Sequence, residues 1–237
     1  MRIGSLQFTP TLWPTLAFIV VFPALLALGF WQLDRAEQKR DIFNAFASGA
    51  QEVVTLMGAK LPARYQRVKL QGRYISEHQF LLDNMIHDGH AGYYVLTPFV
   101  LNSGDWLLVN RGWLPLRGSR QTLPALVVGN EQRTIIGRVD NLPVPGIRLD
   151  KKTPTGGWPR VMQFPTIEQL EAQLDHGLLD GMILLNAKEP NGYVRSWQPQ
   201  IMPPQRHLGY AVTWFGLAAT LLVIYLVVNT NRYTKGL

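Results

Sequence analysis

The sequence predicts a membrane protein in which two antiparallel transmembrane helices hold an antiparallel, β-rich α+β domain, either barrel-like or a curved sheet packed by one helix. Three observations carry this prediction. The runs Thr11–Leu33 and Leu208–Val228 contain no charged residue, and about 20 apolar residues in helix cross a bilayer's hydrocarbon core. Every acidic residue of the 237, with all but three of the basic ones, lies between Asp34 and Arg206. Within that middle segment apolar residues recur at alternate positions, the period of a half-buried strand.

The first span is expected over residues 11–33. A core helix this apolar needs a large protein around it, and the rest of the chain is too small to supply one. A cleaved signal peptide fits poorly. The stretch before the span carries only Arg2, and the run ends Phe30-Trp31-Gln32-Leu33-Asp34-Arg35, without the small-x-small pattern of a cleavage site. The expectation is an uncleaved anchor. Helix should continue from Asp34 to Ala47, with Ile42, Phe43 and Phe46 at helical spacing and Gly49 as its stop.

Strands are then expected at Tyr65–Tyr74, His78–Met85, Gly92–Leu101, Trp106–Leu114, Gln132–Val139 and Met182–Asn186, with a hairpin turn at Asn102-Ser103-Gly104-Asp105. Asn141–Pro165, rich in Pro and Gly, reads as irregular loop. Thr166 with Gln169 three residues on has the capping-box spacing of a short helix. The second span follows Pro199, Pro203 and Pro204. The resulting division is a tail at 1–10, a span at 11–33, the β-rich domain at 34–206, a span at 207–228 and a tail at 229–237.

Charge sets the expected orientation. The tails hold Arg2, Arg232 and Lys235 and no acid, so by the positive-inside rule both termini are cytoplasmic. The expected location is the bacterial inner membrane, multi-pass, with the bulk of the chain periplasmic and the lipid bilayer as a partner. The chain has no cysteine, which excludes disulfides and thiol chemistry. The basic residues are scattered, so nucleic acid is not an expected partner. No G-x-S-x-G, H-E-x-x-H or P-loop pattern occurs, and no catalytic residue and no enzyme activity are expected. His87-x-x-His90, beside Asp83 and Asp88, reads as a polar loop between strands rather than a metal site.

The candidate site is at the start of the second span. On a helix His207, Tyr210 or Ala211, and Trp214 share one face. Such a face can offer an imidazole nitrogen to an iron and flat rings to a porphyrin, with Arg206 and Arg35 at the water boundary for its carboxylates. Trp31 and Arg35 share a face of the first helix. The alternative is an interfacial belt of aromatic and basic anchors. A second stripe, Gly209, Thr213, Gly216 and Thr220, has the spacing of a close helix contact and is expected against Ala17, Ala24 and Ala27 of the first span. Leu108-Val109-Asn110-Arg111-Gly112-Trp113-Leu114-Pro115 reads as a bulge or turn packed by its Trp, or as a docking surface.

Three ordered segments resemble the surfeit-locus cytochrome c oxidase assembly family, sometimes called Shy. They are Leu28-Gly29-Phe30-Trp31-Gln32-Leu33-Asp34-Arg35 with Lys39, then Val109-Asn110-Arg111-Gly112-Trp113 with Pro115, and His207-Leu208-Gly209-Tyr210-Ala211-Val212-Thr213-Trp214-Phe215; Gly92-Tyr93 with Leu96-Thr97-Pro98-Phe99 adds to them. The resemblance implies an assembly factor in respiratory-chain biogenesis, a chaperone that binds haem a transiently and assists its insertion into the catalytic subunit of cytochrome c oxidase. It implies His207 as the metal ligand, and the two helix faces add Tyr210, Trp214, Arg206, Arg35 and Trp31 as the further cofactor-binding residues expected. Haem a synthase is a further candidate partner. The alternative is a membrane-tethered scaffold that docks the nascent oxidase subunit without a cofactor. The chain departs from the family pattern at Gln38, where many members carry an aromatic, and at Gln205-Arg206, where many carry Asn-Glu.

Overall fold

A computed structural model describes residues 2–3, 6–49, 52–56, 60–118, 123–144, 157–199 and 201–232. It divides into two compact units, one of Met1–Asn44 with Pro199–Leu237 and the other of Ala45–Gln198.

The first unit is built on α1 (Leu12–Ser48), which runs on into the second, and α3 (Pro204–Val228); α2 (Ile167–Leu174) belongs to the second unit. Both α1 and α3 are long and apolar enough to cross a membrane. Only 11% of each apolar window is buried, whereas the core helix of a soluble protein would be mostly covered. Helix α1 passes Pro23 without ending and extends to Ser48, past its apolar part, as its amphipathic tail implied.

Contacts between the two helices run in order along both. Thr15 Oγ1 meets Tyr225 Oη at 3.1 Å, Phe18 stacks on Tyr225 at 4.3 Å, Phe30 meets Phe215 edge-on at 5.3 Å, and Gln32 reaches His207. As the numbers rise along α1 they fall along α3. Gly29 leaves room for the Phe215 ring at this seam, because a Cβ there would lie 2.5 Å from that ring and force it to shift. The seam therefore uses Gly29, Gln32 and Ala36 against Ala211 and Ala218, all buried. This corrects the expected packing stripe. Gly209, Thr213, Gly216 and Thr220 are exposed, as are Ala17, Ala24 and Ala27. The two Thr hydroxyls instead bond back to the carbonyls of Gly209 and Gly216.

The chain ends, expected only as tails, carry short strands. β1 (Arg2–Ile3), β2 (Leu6–Phe8) and β11 (Thr230–Arg232) form an antiparallel sheet in the order β1-β2-β11. Asn229, buried, ties them to the helices: its side chain accepts from Thr11 N–H at 2.8 Å and donates to the Tyr225 carbonyl, and its own carbonyl accepts from Thr9 N–H.

The second unit holds β3 (Val53–Thr55), β4 (Arg67–Tyr74), β5 (Phe80–His87), β6 (His90–Leu101), β7 (Trp106–Pro115), β8 (Arg133–Asp140), β9 (Arg160–Met162) and β10 (Met182–Leu185). Their order is β3-β4-β8-β10-β7-β6-β5-β9, and a further β4–β6 pairing closes β4, β8, β10, β7 and β6 into a five-stranded barrel. Alternation builds its interior: Val68, Leu70 and Tyr74 from β4 meet Ile135 and Val139 from β8, Phe99 and Leu101 from β6, and Leu107 and Val109 from β7. Helix α2 covers the other face through Leu170 and Leu174, packed with Phe80, Leu82 and Met162. The Thr166–Gln169 capping box is formed at its start.

The sheet is not wholly antiparallel as expected. β3–β4, β5–β9 and β7–β10 pair in parallel. Parallel neighbours need a connection longer than a hairpin, and the one that joins β7 to β10 runs through β8, β9 and α2. That is also why Asn141–Pro165 is not loop throughout. β9 lies inside it, while residues 145–156 of the expected loop fall outside the described residues.

Candidate functional site

Helix α3 begins at Pro204, after Pro203 as its N-cap residue, so His207 sits in the first turn. Proline fits there because the N–H it lacks would have no intrahelical partner. On α1, Gln32 is the buried polar residue of an otherwise apolar stretch. His207 Nδ1 lies 2.8 Å from Gln32 Oε1. With that oxygen as acceptor, Nδ1 carries the ring proton and Nε2 keeps its lone pair. Nε2 is buried and has no hydrogen-bond partner among the described residues. A polar atom left so costs about 1–3 kcal/mol, and a lone-pair nitrogen fixed by a bond at the opposite ring nitrogen is the arrangement of a metal-ligating histidine.

The other expected site residues are dispersed around this pair. Trp214 is half-buried, while Tyr210 and Arg206 are exposed. Trp31 is exposed, and the Arg35 guanidinium lies over its ring at 5.5 Å. Arg35 also donates to Gln38, which donates to Asp34. One position along a helix is a rotation of about 100°, so with Gln32 turned to α3, Trp31 belongs to another face. Gln32 was not among the residues expected to act. Its signal was available as an amide within an uncharged run, where a polar side chain seeks a partner.

Asn110, Arg111 and Trp113 are buried, which excludes an exposed docking surface made of these side chains and leaves the packed-bulge reading. Trp113 Nε1–H donates to the Met85 carbonyl at 2.8 Å. Gly112 takes φ +119°, a value that favours glycine, and its N–H donates to Asn110 Oδ1. Arg111 donates to the carbonyls of Asn191 and Val127 and to Gln79 Oε1, between the rings of Tyr193 and Tyr74. Burial pulls its pKa down. This guanidinium is a strut, satisfied by neutral acceptors. The His87–His90 loop holds no group of three or more metal-ligating side chains among the described residues. His87 packs against Trp113 and contacts Asp88, while His90 Nδ1 lies 2.9 Å from the Asp88 carbonyl oxygen.

Fold and site together define a class: a β-barrel domain carried with two membrane-length helices, and a paired polar contact, Gln32–His207, in the helical seam. The SURF1 family matches residues 19–219. A SURF1-like protein of Rickettsia felis is 27% identical over 231 residues, covering 91% of this chain and 96% of that protein. One of Rickettsia bellii is 27% identical over 235 residues, covering 94% and 93%. Surfeit locus protein 1 of Takifugu rubripes is 24% identical over 242 residues, covering 85% and 91%. The chain belongs to the SURF1 family.

Proposed function

We propose that this chain is a non-enzymatic assembly factor for haem-copper cytochrome c oxidase, which holds haem a through His207 and passes it to the oxidase catalytic subunit. The observation that carries this reading is the buried His207 Nε2, partnerless among the described residues, with Nδ1 of the same ring 2.8 Å from Gln32 Oε1. Haem a, when bound, would supply an iron that takes an imidazole nitrogen, which His207 would offer, and carboxylates that take cations. Arg206 and Arg35 are the basic residues proposed for those carboxylates, and Tyr210, Trp214 and Trp31 the aromatic faces. Haem a synthase is the proposed donor, and the catalytic subunit the proposed acceptor.

The proposed topology is two antiparallel spans in the bacterial inner membrane, with cytoplasmic termini and a periplasmic barrel. Its support is the descending order of contacts along α3 and the pairing of the two chain ends through β2 and β11. Paired ends belong on one side of a membrane, which suits an even number of spans.

One observation favours the second reading, a scaffold without cofactor. The Gln32–His207 bond by itself ties α1 to α3, as interhelical polar pairs do in lipid. Purification in mild detergent from cells that make haem a decides between them. The carrier predicts a Soret band that travels with the protein at a fixed ratio to it. A protein that comes through folded and colourless supports the scaffold.

A further inference from the structure

The barrel unit carries a feature that the helical site does not use. Arg67 on β4 and Arg138 on β8 are Cα partners in the antiparallel register, so two like charges stand directly opposite each other on the barrel's outer side. Such a cross-strand pair is destabilising. The chain nevertheless brings a third cation to the same place. Arg195 is held there by the carbonyls of Tyr193, Asn186 and Glu189, beside Trp197, whose Nε1–H donates to the Leu185 carbonyl. All three arginines line one cavity of about 250 Å³, which Phe46 and Trp197 also line.

Among the described residues that line it, none is acidic. The nearby carboxylates lie outside the lining: Asp140 pairs with Arg64 at 2.6 Å and Glu189 Oε1 accepts from Ile136 N–H, while their charges act on Arg138 and Arg195 respectively. Part of Arg138 has a structural use, since one terminal nitrogen donates to the Phe46 carbonyl in the last turn of α1 and its guanidinium lies over the Phe46 ring at 3.8 Å. Its Nε and second terminal nitrogen, and one terminal nitrogen of Arg195, donate to no acceptor among the described residues. Burial first, and then the Arg67 charge beside it, pull the pKa of Arg138 down against the opposing pull of Asp140.

We infer that this cavity is a binding site for a small, multiply charged phosphate-type oxyanion. A single carboxylate presents two oxygens on one side, whereas a phosphate ester or diphosphate group presents several acceptors to guanidinium forks that match its geometry. Phe46 and Trp197 leave an apolar wall for whatever bears the phosphate, and the volume suits a small ester or a lipid headgroup rather than a macrocycle.

The test uses the full-length protein in non-ionic detergent, with pyrophosphate as the soluble probe and phosphatidic acid in the micelles as the lipid probe. Binding is read by calorimetry and by the shift in melting temperature, against sodium chloride at matched ionic strength. Three variants are compared: Arg138→Gln, which removes two free donors; Ala187→Glu, which adds a carboxylate at an exposed lining position and leaves every arginine in place; and Arg117→Gln, an exposed arginine outside the cavity. The expected result is saturable binding of a phosphate probe, at least tenfold weaker in Arg138→Gln and Ala187→Glu and unchanged in Arg117→Gln. Pyrophosphate binding identifies a soluble ligand, and binding of phosphatidic acid alone identifies a headgroup. Binding of neither probe, or affinities equal in all variants, overturns the inference. Because Ala187→Glu keeps the bonds that Arg195 and Arg138 make, misfolding of one variant leaves the other to decide.

Discussion

Replacing Trp113 by Ala removes a side chain that is 7% exposed and sits in the cluster with Phe80, Leu82, Met85 and Leu96. It also strips the Met85 carbonyl of its indole donor at 2.8 Å. A buried Trp→Ala change costs about 3–5 kcal/mol in lost transfer energy and cavity. The stranded carbonyl adds about 1 kcal/mol or more. A domain of this size is stable by about 5–15 kcal/mol, so the variant should lose a large fraction of its margin. At about 2–4 °C per kcal/mol for 150–250 residues, the melting temperature should fall by about 8–24 °C. Trp113→Phe keeps a ring in the cavity and should lose much less. The assay is a thermal melt of the detergent-solubilised protein followed by far-UV circular dichroism, with oxidase assembly scored in parallel. If Trp113→Ala melts within about 2 °C of the parent, below the shift of even 1 kcal/mol, yet assembly fails, Trp113 is a docking residue and the packing argument is wrong.

Other consequences are as direct. Burial pushes Tyr74 up to about 12, against the opposing pull of Arg111 and Arg133, and its hydroxyl has no hydrogen-bond partner among the described residues. Folding therefore favours the protonated phenol. The full benefit is present below pH 10 and is lost as the pH rises toward 12, about 2.7 kcal/mol for two units. Tyr74→Phe should be at least as stable at pH 8 and should flatten the decline between pH 10 and 12 in pH-dependent melts; an unchanged decline would exonerate Tyr74. Gly29→Leu should drive α1 from α3 by collision with Phe215. As the chain has no cysteine of its own, a Thr15→Cys, Tyr225→Cys pair treated with a thiol-specific bifunctional reagent long enough to span the space of the removed tyrosine ring should cross-link in the parent, fail with Gly29→Leu and recover with Phe215→Ala added; cross-linking that ignores Gly29→Leu would contradict the seam. Reporter fusions after Arg232 should act as cytoplasmic and those in the Asn102–Asp105 turn as periplasmic, and the reverse pattern would overturn the topology.

What the residues disclosed in advance follows from how local each signal is. The apolar runs announced α1 and α3, and alternation announced β4 through Val68, Leu70 and Tyr74, because burial on one face leaves a period in the sequence. The Thr166–Gln169 box announced α2 because both partners lie within one turn. β3 and β9 are three residues each, too short to show a period, and depend on neighbours distant in the chain. The parallel entry of β10 beside β7 was illegible for the same reason. The seam between α1 and α3 was misread because Gly209-x-x-x-Thr213 has the right spacing but faces outward, while Gly29 has no small partner in sequence and instead admits a Phe. Of the site, His207 was visible as a lone imidazole at a span's start. Gln32 was visible as an amide in an uncharged run, but its partner was not, since that depends on a contact across 175 positions.

The Soret spectrum of the protein purified from haem a-producing cells tests most directly the proposal that His207 Nε2 is the haem ligand. His207→Ala should abolish or greatly weaken haem retention while the protein still inserts, because removing one imidazole at a helix end leaves the uncharged span intact. Arg206→Ala and Arg35→Ala should retain more haem, each losing one charged hydrogen bond of about 1.5–3 kcal/mol. A His207→Ala protein that inserts normally and keeps the parent's haem content and spectrum would contradict the account.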